Sequence, residues 1–172
     1  MSETICNVTY DQLQLGQSAS LSQTIRAEDI LGFAAVSGDT NPAHLDPDYA
    51  EQTMFGGVIA HGMYSAGLIS ALLGTRFPGA GTIYLGQELQ FKRPVRIGDT
   101  LTVTLTVADK RDDKKIVTLD CLVSNQNGDK VVTGKATVIA PSTSIDRPLL
   151  PTPTLHYDHL PPPRFTELLG QD

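Results

Sequence analysis

The chain has 172 residues, of which 40% are hydrophobic, so it is long enough to bury one core and too short to divide comfortably into two domains. Its net charge of -6 at pH 7 argues against nucleic acid as a partner. The charge-poor stretch from Val58 to Thr75 is interrupted by a histidine and small residues, so we expect a buried helix there and no membrane span. The N-terminus lacks the basic start and apolar core of a signal peptide, so we expect a cytoplasmic protein with reduced cysteines.

The predicted elements begin with a strand in which apolar and polar residues alternate from Ala19 to Ile25. A helix follows, because three apolar residues are spaced to share one face: Ile30, Phe33 and Ala34. Gly38 ends this helix, since glycine readily adopts the left-handed conformation found at helix ends. Asp46 is then placed as an N-cap with Pro47 at the first helical position, which predicts a short helix through Gln52.

A longer helix is predicted over Met63 to Phe77, where apolar residues occur on nearly every face, so that protein must surround it. From Thr82 onward the apolar period changes to two, which predicts strands over residues 83–91, 101–107, 116–123 and 131–139. The dipeptide Asn127-Gly128 predicts a hairpin between the last two strands. Since helix and sheet each need an apolar partner, we expect an α+β hot-dog fold, in which a curved antiparallel sheet wraps around a long central helix.

The composition changes at Pro141, because seven of the eleven prolines lie at or after this position. We therefore predict one hot-dog domain over residues 1–144, followed by a proline-rich arm or linker outside the core over residues 145–172. We call residues 145–172 the C-terminal arm. Leu168 and Leu169, near its end, are candidates for docking on a surface.

A candidate acid/base pair lies in the loop after the first helix, where Asp39 and His44 are five positions apart. Pro42 fixes its own φ and restricts Asn41, so the loop is expected to be stiff, as a catalytic pair requires. A carboxyl group and an imidazole held together can activate one water molecule. The imidazole takes a proton from the water, while the carboxyl group orients the water or exchanges the second proton. The spacing alone is more typical of two residues that merely brace a polar loop.

A second candidate lies where a glycine-rich segment meets the long helix, at His61 and Gly62. The first N–H groups of a helix lack acceptors within it and carry the positive end of its dipole, so the unshielded Gly62 amide suits a developing oxyanion. The alternatives are a capping or core histidine and a glycine needed only for packing. Lysine and arginine residues form a cationic patch at Lys92, Arg93 and Arg96. This patch either receives a phosphate-bearing ligand or is a solvated strand end.

Two motifs share the order and separation of a known family: FAAVSGDTNPAHLD at residues 33–46 and IAHGM at residues 59–63. They resemble the MaoC-like (R)-specific enoyl-CoA hydratases, which are hot-dog proteins, and the resemblance extends to about Ala140. It implies that Asp39 and His44 are the catalytic pair and that Gly62 is the oxyanion donor. It also implies supporting roles for Asn41, for His61 and for Ser70, whose hydroxyl would support Asp39. The alternative for Ser70 is a helix serine that bonds to its own backbone.

By this resemblance, the reaction is the reversible hydration of a trans-2-enoyl-CoA, such as crotonyl-CoA, to an (R)-3-hydroxyacyl-CoA. The thioester oxygen would lie on the Gly62 amide while water adds at C3, and which proton Asp39 and His44 each move is left open. By the same resemblance, the reaction requires no metal or redox cofactor. Coenzyme A enters as part of the substrate, and its phosphates could bind to the cationic patch. A homodimer or dimer-based oligomer is also implied, consistent with the need to cover exposed strand edges.

Three other functions are compatible with these residues. A hot-dog acyl-CoA thioesterase would direct the water at the carbonyl carbon, and a non-catalytic module would only bind acyl-CoA or an acyl carrier. A metal site would use Asp39, His44, His61 and Asp46, although His61 at a helix start looks poorly placed for it. The chain also resembles hydratase modules fused ahead of phosphate acetyl/butyryltransferase domains, so the C-terminal arm is either a linker to an acyltransferase domain or an arm that binds in a dimer.

Overall fold

The molecule is built from seven strands and five helices in a computed structural model that describes residues 4–170. In chain order the strands are β1 (Thr4–Cys6), β2 (Ser18–Thr24), β3 (Ile83–Phe91), β4 (Thr100–Arg111), β5 (Ile116–Ser124), β6 (Lys130–Ile139) and β7 (Asp146–Pro148). The helices are α1 (Ala27–Ser37), α2 (Pro42–Leu45), α3 (Pro47–Glu51), α4 (Gly62–Thr75) and α5 (Pro163–Thr166), and short 3-10 turns occur at Tyr10–Gln12 and Asp112–Lys114. Within residues 4–170, no helix is long and apolar enough to cross a membrane.

The main sheet has the strand order β2-β4-β5-β6-β3, with every neighbouring pair antiparallel. All four strands predicted after Thr82 are present, and the hairpin at Asn127-Gly128 is confirmed, with Gly128 at a φ of 80°. Alternate residues of β4 and β5 are buried in the core, as the period of two requires. The expected α+β hot-dog fold is confirmed, with this sheet packed against α4.

Helix α4 buries one face and exposes the other in the single chain. Its buried apolar residues are Ile69, Leu72 and Leu73. The opposite face is exposed and mostly small, comprising Gly62, Met63, Gly67, Ser70, Ala71, Gly74 and Thr75. The prediction that protein surrounds this helix is therefore wrong for the chain by itself, because a single sheet covers only one side of a helix.

The ends of the short helices follow their local sequence. Gly38 ends α1 with a φ of 75°, and its N–H donates to the Ala34 carbonyl. Asp46 caps α3, since its Oδ1 accepts from the Asp48 and Tyr49 amides at 3.0 and 3.2 Å. This confirms the predicted N-cap, whereas the four-residue helix α2 between these two points was not predicted.

The C-terminal arm returns to the body of the molecule. Strand β7 within it pairs with β1 in a separate two-stranded sheet. Phe165 on α5 is 0% exposed and belongs to the hydrophobic core, and Leu168 and Leu169 pack against that core. The prediction that this segment lies outside the core is therefore wrong at Phe165, a single aromatic residue that the surrounding prolines obscured.

Candidate active site

The loop between α1 and α3 is held by its own polar groups. The Asn41 backbone N–H donates to Asp39 Oδ1 at 3.2 Å, and Asn41 Oδ1 accepts from the Ala43 amide at 3.0 Å. That second bond caps α2, the helix that carries His44. Asn41 thus touches Asp39 through its backbone and fixes the helix of His44 through its side chain.

His44 is held through one ring nitrogen by a backbone carbonyl. Its Nδ1 lies 2.7 Å from the Ile59 carbonyl oxygen. Because a carbonyl oxygen can only accept, Nδ1 carries the hydrogen in the neutral ring and Nε2 keeps a lone pair. The tautomer assigned in this way leaves Nε2 free to take a proton from a ligand.

His61 connects the two members of the pair. It is 2% exposed, its Nε2 lies 2.9 Å from the Asp39 carbonyl oxygen, and its ring centroid is 3.9 Å from that of His44 and 4.9 Å from that of Phe33. Burial lowers the pKa of His61, which favours the neutral ring. With Nε2–H donated to the carbonyl, Nδ1 keeps a lone pair that has no hydrogen-bond partner among residues 4–170.

Gly62 begins α4 and borders the same pocket as His44. This pocket has a volume of about 380 Å³ and a largely apolar wall that includes Met54, Phe55 and Phe91. A Cβ at position 62 would lie 3.1 Å from Phe91 Cε1, so a larger residue there would have to displace the Phe91 ring. Gly62 at the start of α4 and His44 therefore border one cavity, whereas Asp39 is exposed and is not among the residues that line it.

The predicted cationic patch divides in two. Lys92 and Arg93 line the pocket, where Lys92 donates to the Gln90 side chain at 2.6 Å and Arg93 pairs with Asp129 at 3.4 Å. Arg96 lies outside the pocket lining and donates to the Phe55 carbonyl. Two of the three predicted cations thus stand where a ligand in the pocket would meet them.

Two serines of α4 differ in where they lie relative to the pocket. Ser70 is exposed on the outer face of α4 and does not line the pocket, so its support of Asp39 stays a prediction. Ser65 is 1% exposed and lines the pocket, and the sequence analysis missed it. Its place one turn after Gly62 was the available signal, since residues three apart share a helix face.

A carboxylate and two imidazoles are close enough together to be considered as metal ligands. One potential ligand atom from each of Asp39, His44 and His61 lies within 4.8 Å of the others. The expectation that His61 is poorly placed for such a cluster is therefore wrong, whereas Asp46 is engaged as the cap of α3. Ligand atoms around tetrahedral zinc are only about 3.3 Å apart, so this cluster would have to contract to bind the ion.

The arrangement suits the activation of water beside a polarised carbonyl. The Nε2 lone pair of His44 can accept a proton, the carboxyl group of Asp39 can exchange one, and the N-terminus of α4 can stabilise an oxyanion. The pocket wall is largely apolar, although Met54 and Phe91 on it are exposed in the single chain. The same groups can act on a double bond conjugated to the carbonyl or on the carbonyl carbon itself.

Comparisons with known proteins show the family to which the chain belongs. A family model described as MaoC like domain matches residues 12–128. An (R)-specific enoyl-CoA hydratase of Rhodospirillum rubrum is 53% identical over 135 residues, which cover 77% of this chain and 92% of that protein. An (R)-specific enoyl-CoA hydratase of Aeromonas caviae is 48% identical over 134 residues, covering 78% of this chain and 100% of that protein. The structure of R-hydratase PhaJ1 from Pseudomonas aeruginosa, in the unliganded form, matches with a TM-score of 0.86 at 45% identity, covering 90% of this chain and 99% of that one.

Proposed function

Because the chain belongs to the MaoC-like domain family, we propose that it is an (R)-specific enoyl-CoA hydratase. The reaction is the reversible addition of water to a trans-2-enoyl-CoA, which yields an (R)-3-hydroxyacyl-CoA. The observation that carries the proposal is the meeting of His44 and the Gly62 end of α4 at one pocket. That pocket offers a base and an oxyanion donor to the same thioester.

In the proposed reaction, the thioester oxygen accepts a hydrogen bond from the Gly62 amide. Electrons of the C2–C3 double bond move toward that oxygen as water attacks C3, so negative charge grows at the positive end of α4. One such donor typically lowers the barrier by about 3 kcal/mol. Carbon C3 thereby becomes electrophilic enough for water to attack.

The tautomer of His44 supports the assignment in which His44 is the base and Asp39 is the acid; in the alternative assignment the two residues exchange these roles. Nε2 takes one proton from the attacking water, because Nδ1 already carries a hydrogen that it donates to the Ile59 carbonyl. In this assignment the carboxyl group of Asp39 delivers the proton that C2 gains. Return of a proton from His44 to Asp39 restores both groups, so each turnover consumes one water.

Coenzyme A is proposed to enter as part of the substrate. Lys92 and Arg93 line the pocket and provide positive charge for its phosphates, whereas Arg96 is engaged with the Phe55 carbonyl. The mechanism above needs no metal or redox cofactor, since every charge that develops has a partner among the chain's own residues.

The working unit is proposed to be a homodimer or a dimer-based oligomer. Strand β3 is an edge of the main sheet and exposes large apolar residues, namely Ile83, Tyr84, Leu85 and Phe91. The outer face of α4 is also uncovered, as described above. A second copy pairing β3 with β3 would satisfy the open edge. A cytoplasmic location and an associated acyltransferase domain stay predictions.

The test is incubation with crotonyl-CoA followed by chiral analysis of the product. Formation of (R)-3-hydroxybutyryl-CoA supports the proposal. Release of free coenzyme A without hydration would indicate a thioesterase, and tight binding without any product would indicate a binding module. Either of these two results would overturn the assignment as a hydratase.

A further inference from the structure

The C-terminal arm contacts α1, the helix that precedes residues 39–46. We call residues 39–46, which contain Asp39 and His44, the catalytic loop. The Tyr157 hydroxyl donates to the Glu28 carbonyl at 3.2 Å. A Cβ at Gly32 would lie 3.2 Å from that same hydroxyl, so the arm approaches the helix backbone closely here. The next residue of α1, Phe33, packs against the ring of His61. The arm thus supports the turn of α1 that contacts the site.

The arm also contacts the helix that follows the catalytic loop. Arg164 on α5 donates to Glu51 at 2.7 Å and to Asp48, and both acceptors belong to α3. Helix α3 begins three residues after His44 and is capped by Asp46. With only five residues, α3 gains little stability on its own and depends on what it packs against.

A third segment borders the arm across a groove, next to the residue that holds the ring of His44. Arg164 and Leu168 share a groove with residues 56–58, and Ile59, the acceptor of His44 Nδ1, comes directly afterwards. Between these contacts Phe165 is fully buried in the hydrophobic core. The arm therefore contacts α1 and α3, on either side of Asp39 and His44, and borders residues 56–58 across the groove.

We propose that the C-terminal arm is a positioning element for the catalytic loop, with Phe165 and Arg164 as its positioning residues. None of the arm residues that the structure describes lines the pocket shared by His44 and Gly62, so the arm acts through α1, α3 and residues 56–58. The match to the Aeromonas caviae relative takes in the whole of that protein and only 78% of this chain, so additional chain surrounds the shared body here. The kinetic part of the proposal rests on the proposed hydratase function.

The first test is Phe165→Ala in the full chain, assayed well below its melting temperature. We expect kcat for crotonyl-CoA hydration to fall about tenfold, because small displacements of catalytic groups are costly, while KM changes less than about twofold. Phe165→Leu, which refills most of the space, should restore most of kcat. Leu150→Ala, at an arm position that is 80% exposed, serves as the control and should match the wild type.

Arg164→Gln is a second variant, which leaves the hydrophobic core intact. If Phe165→Ala does not fold, Arg164→Gln tests whether the arm positions the catalytic loop. Hydrogen exchange followed by mass spectrometry should show faster exchange in residues 39–46 in these variants and unchanged exchange in β4 and β5. Equal kcat in Phe165→Ala and Leu150→Ala, or exchange that accelerates uniformly across the sheet, would overturn the proposal. Lack of hydration by the wild type would contradict the hydratase function alone, because the exchange measurement tests the arm without substrate.

Discussion

At the scale of single residues, two backbone carbonyls hold two imidazoles in fixed tautomers. The Ile59 carbonyl accepts from His44, and the Asp39 carbonyl accepts from His61. His61 then stacks on the ring of His44, so neither ring can rotate without breaking a hydrogen bond and a ring contact. This rigidity gives the acid/base pair a defined geometry before any substrate arrives.

Substitution of the pair should affect chemistry more than folding. Asp39→Asn keeps an oxygen for the Asn41 amide but cannot exchange a proton as a carboxyl group does, and His44→Asn removes the Nε2 lone pair. Each variant should lower crotonyl-CoA hydration by about a hundredfold or more. The assay is the loss of enoyl thioester absorbance, with the exposed arm variants Asp158→Asn and His159→Asn as matched controls. Wild-type turnover in folded Asp39→Asn and His44→Asn would contradict the assignment.

Gly62→Ala tests the proposed oxyanion donor by crowding the space next to its backbone amide. The added methyl group would press on the Phe91 ring at 3.1 Å and stand beside the amide that is to bind the thioester oxygen. We expect kcat/KM for crotonyl-CoA to fall at least about tenfold, a fraction of what loss of a full oxyanion donor costs. Gly67→Ala, at an exposed helix position with nothing within 4 Å, is the control and should raise stability by up to about 1 kcal/mol. Equal activity of the two variants would argue against the role of Gly62.

The buried ring of His61 predicts a dependence of stability on pH. Burial lowers the pKa of His61 in the folded state, with the nearby His44 acting in the same direction, whereas the unfolded chain titrates near 6.5. The unfolded state therefore binds more protons below this pH, and the free energy of unfolding should decrease as the pH falls from about 6.5. Urea unfolding at pH 7.5, 6.5 and 5.5 measures this, and His61→Gln should show a smaller decrease over the same range. An identical pH dependence in both proteins would rule out His61 as its source.

At the scale of elements, the pairing of β3 with β6 depends on one close backbone approach. A Cβ at Gly134 would lie 1.9 Å from the Glu88 carbonyl oxygen of β3, so any side chain there must push the two strands apart. Gly134→Ala should lower the free energy of unfolding by about 3 kcal/mol, as overpacking of a tight site does. Gly86→Ala lies on the same strand pair with nothing within 4 Å and should have a much smaller effect in the same urea titration.

The sequence predicts those helices and strands that are long enough for their apolar residues to repeat at a recognisable spacing. Strands β3 to β6 have nine or more residues each, and α1 has a clear end at Gly38. Strands β1 and β7 have three residues each and pair only because the two ends of the chain meet, which no local pattern reports. The exposed face of α4 was missed for a related reason, since periodicity shows which residues are apolar or small but not what covers them.

In the candidate site, too, residues in local motifs were predicted and those that depend on tertiary packing were not. Asp39, His44 and Gly62 occur in contiguous motifs that carry their own caps and turns, so local sequence made them candidates, and the family resemblance supplied the roles that stay predictions. Ser65 and the contact of the arm through Phe165 depend on tertiary packing. The stacking of His61 on His44 likewise joins segments 17 residues apart in the chain, which spacing alone cannot place.

At the scale of the whole molecule, the main sheet ends in two edge strands, β2 and β3, and large apolar residues are exposed along β3. Leu85 on β3 is 51% exposed, and it has apolar neighbours along the same edge. A lysine there would place a charge in the proposed β3–β3 contact, which is how natural edge strands avoid pairing. We expect Leu85→Lys to shift the sedimentation coefficient from that of a dimer toward that of a monomer. Leu150→Lys, on the arm, should leave it unchanged, and a Leu85→Lys protein that stays dimeric would place the interface elsewhere.

The hydrogen bond from His44 to the Ile59 carbonyl matters in both directions of a reversible reaction. Nδ1 donates to that carbonyl whether the ring is neutral or positively charged, because the proton that is gained and lost resides on Nε2. The imidazole therefore needs neither a ring flip nor a change of tautomer between successive turnovers. In the proposed reaction, the nitrogen that takes a proton from water during hydration returns one to the departing hydroxyl during dehydration, so a single backbone oxygen prepares the proposed base equally to form and to consume a 3-hydroxyacyl thioester.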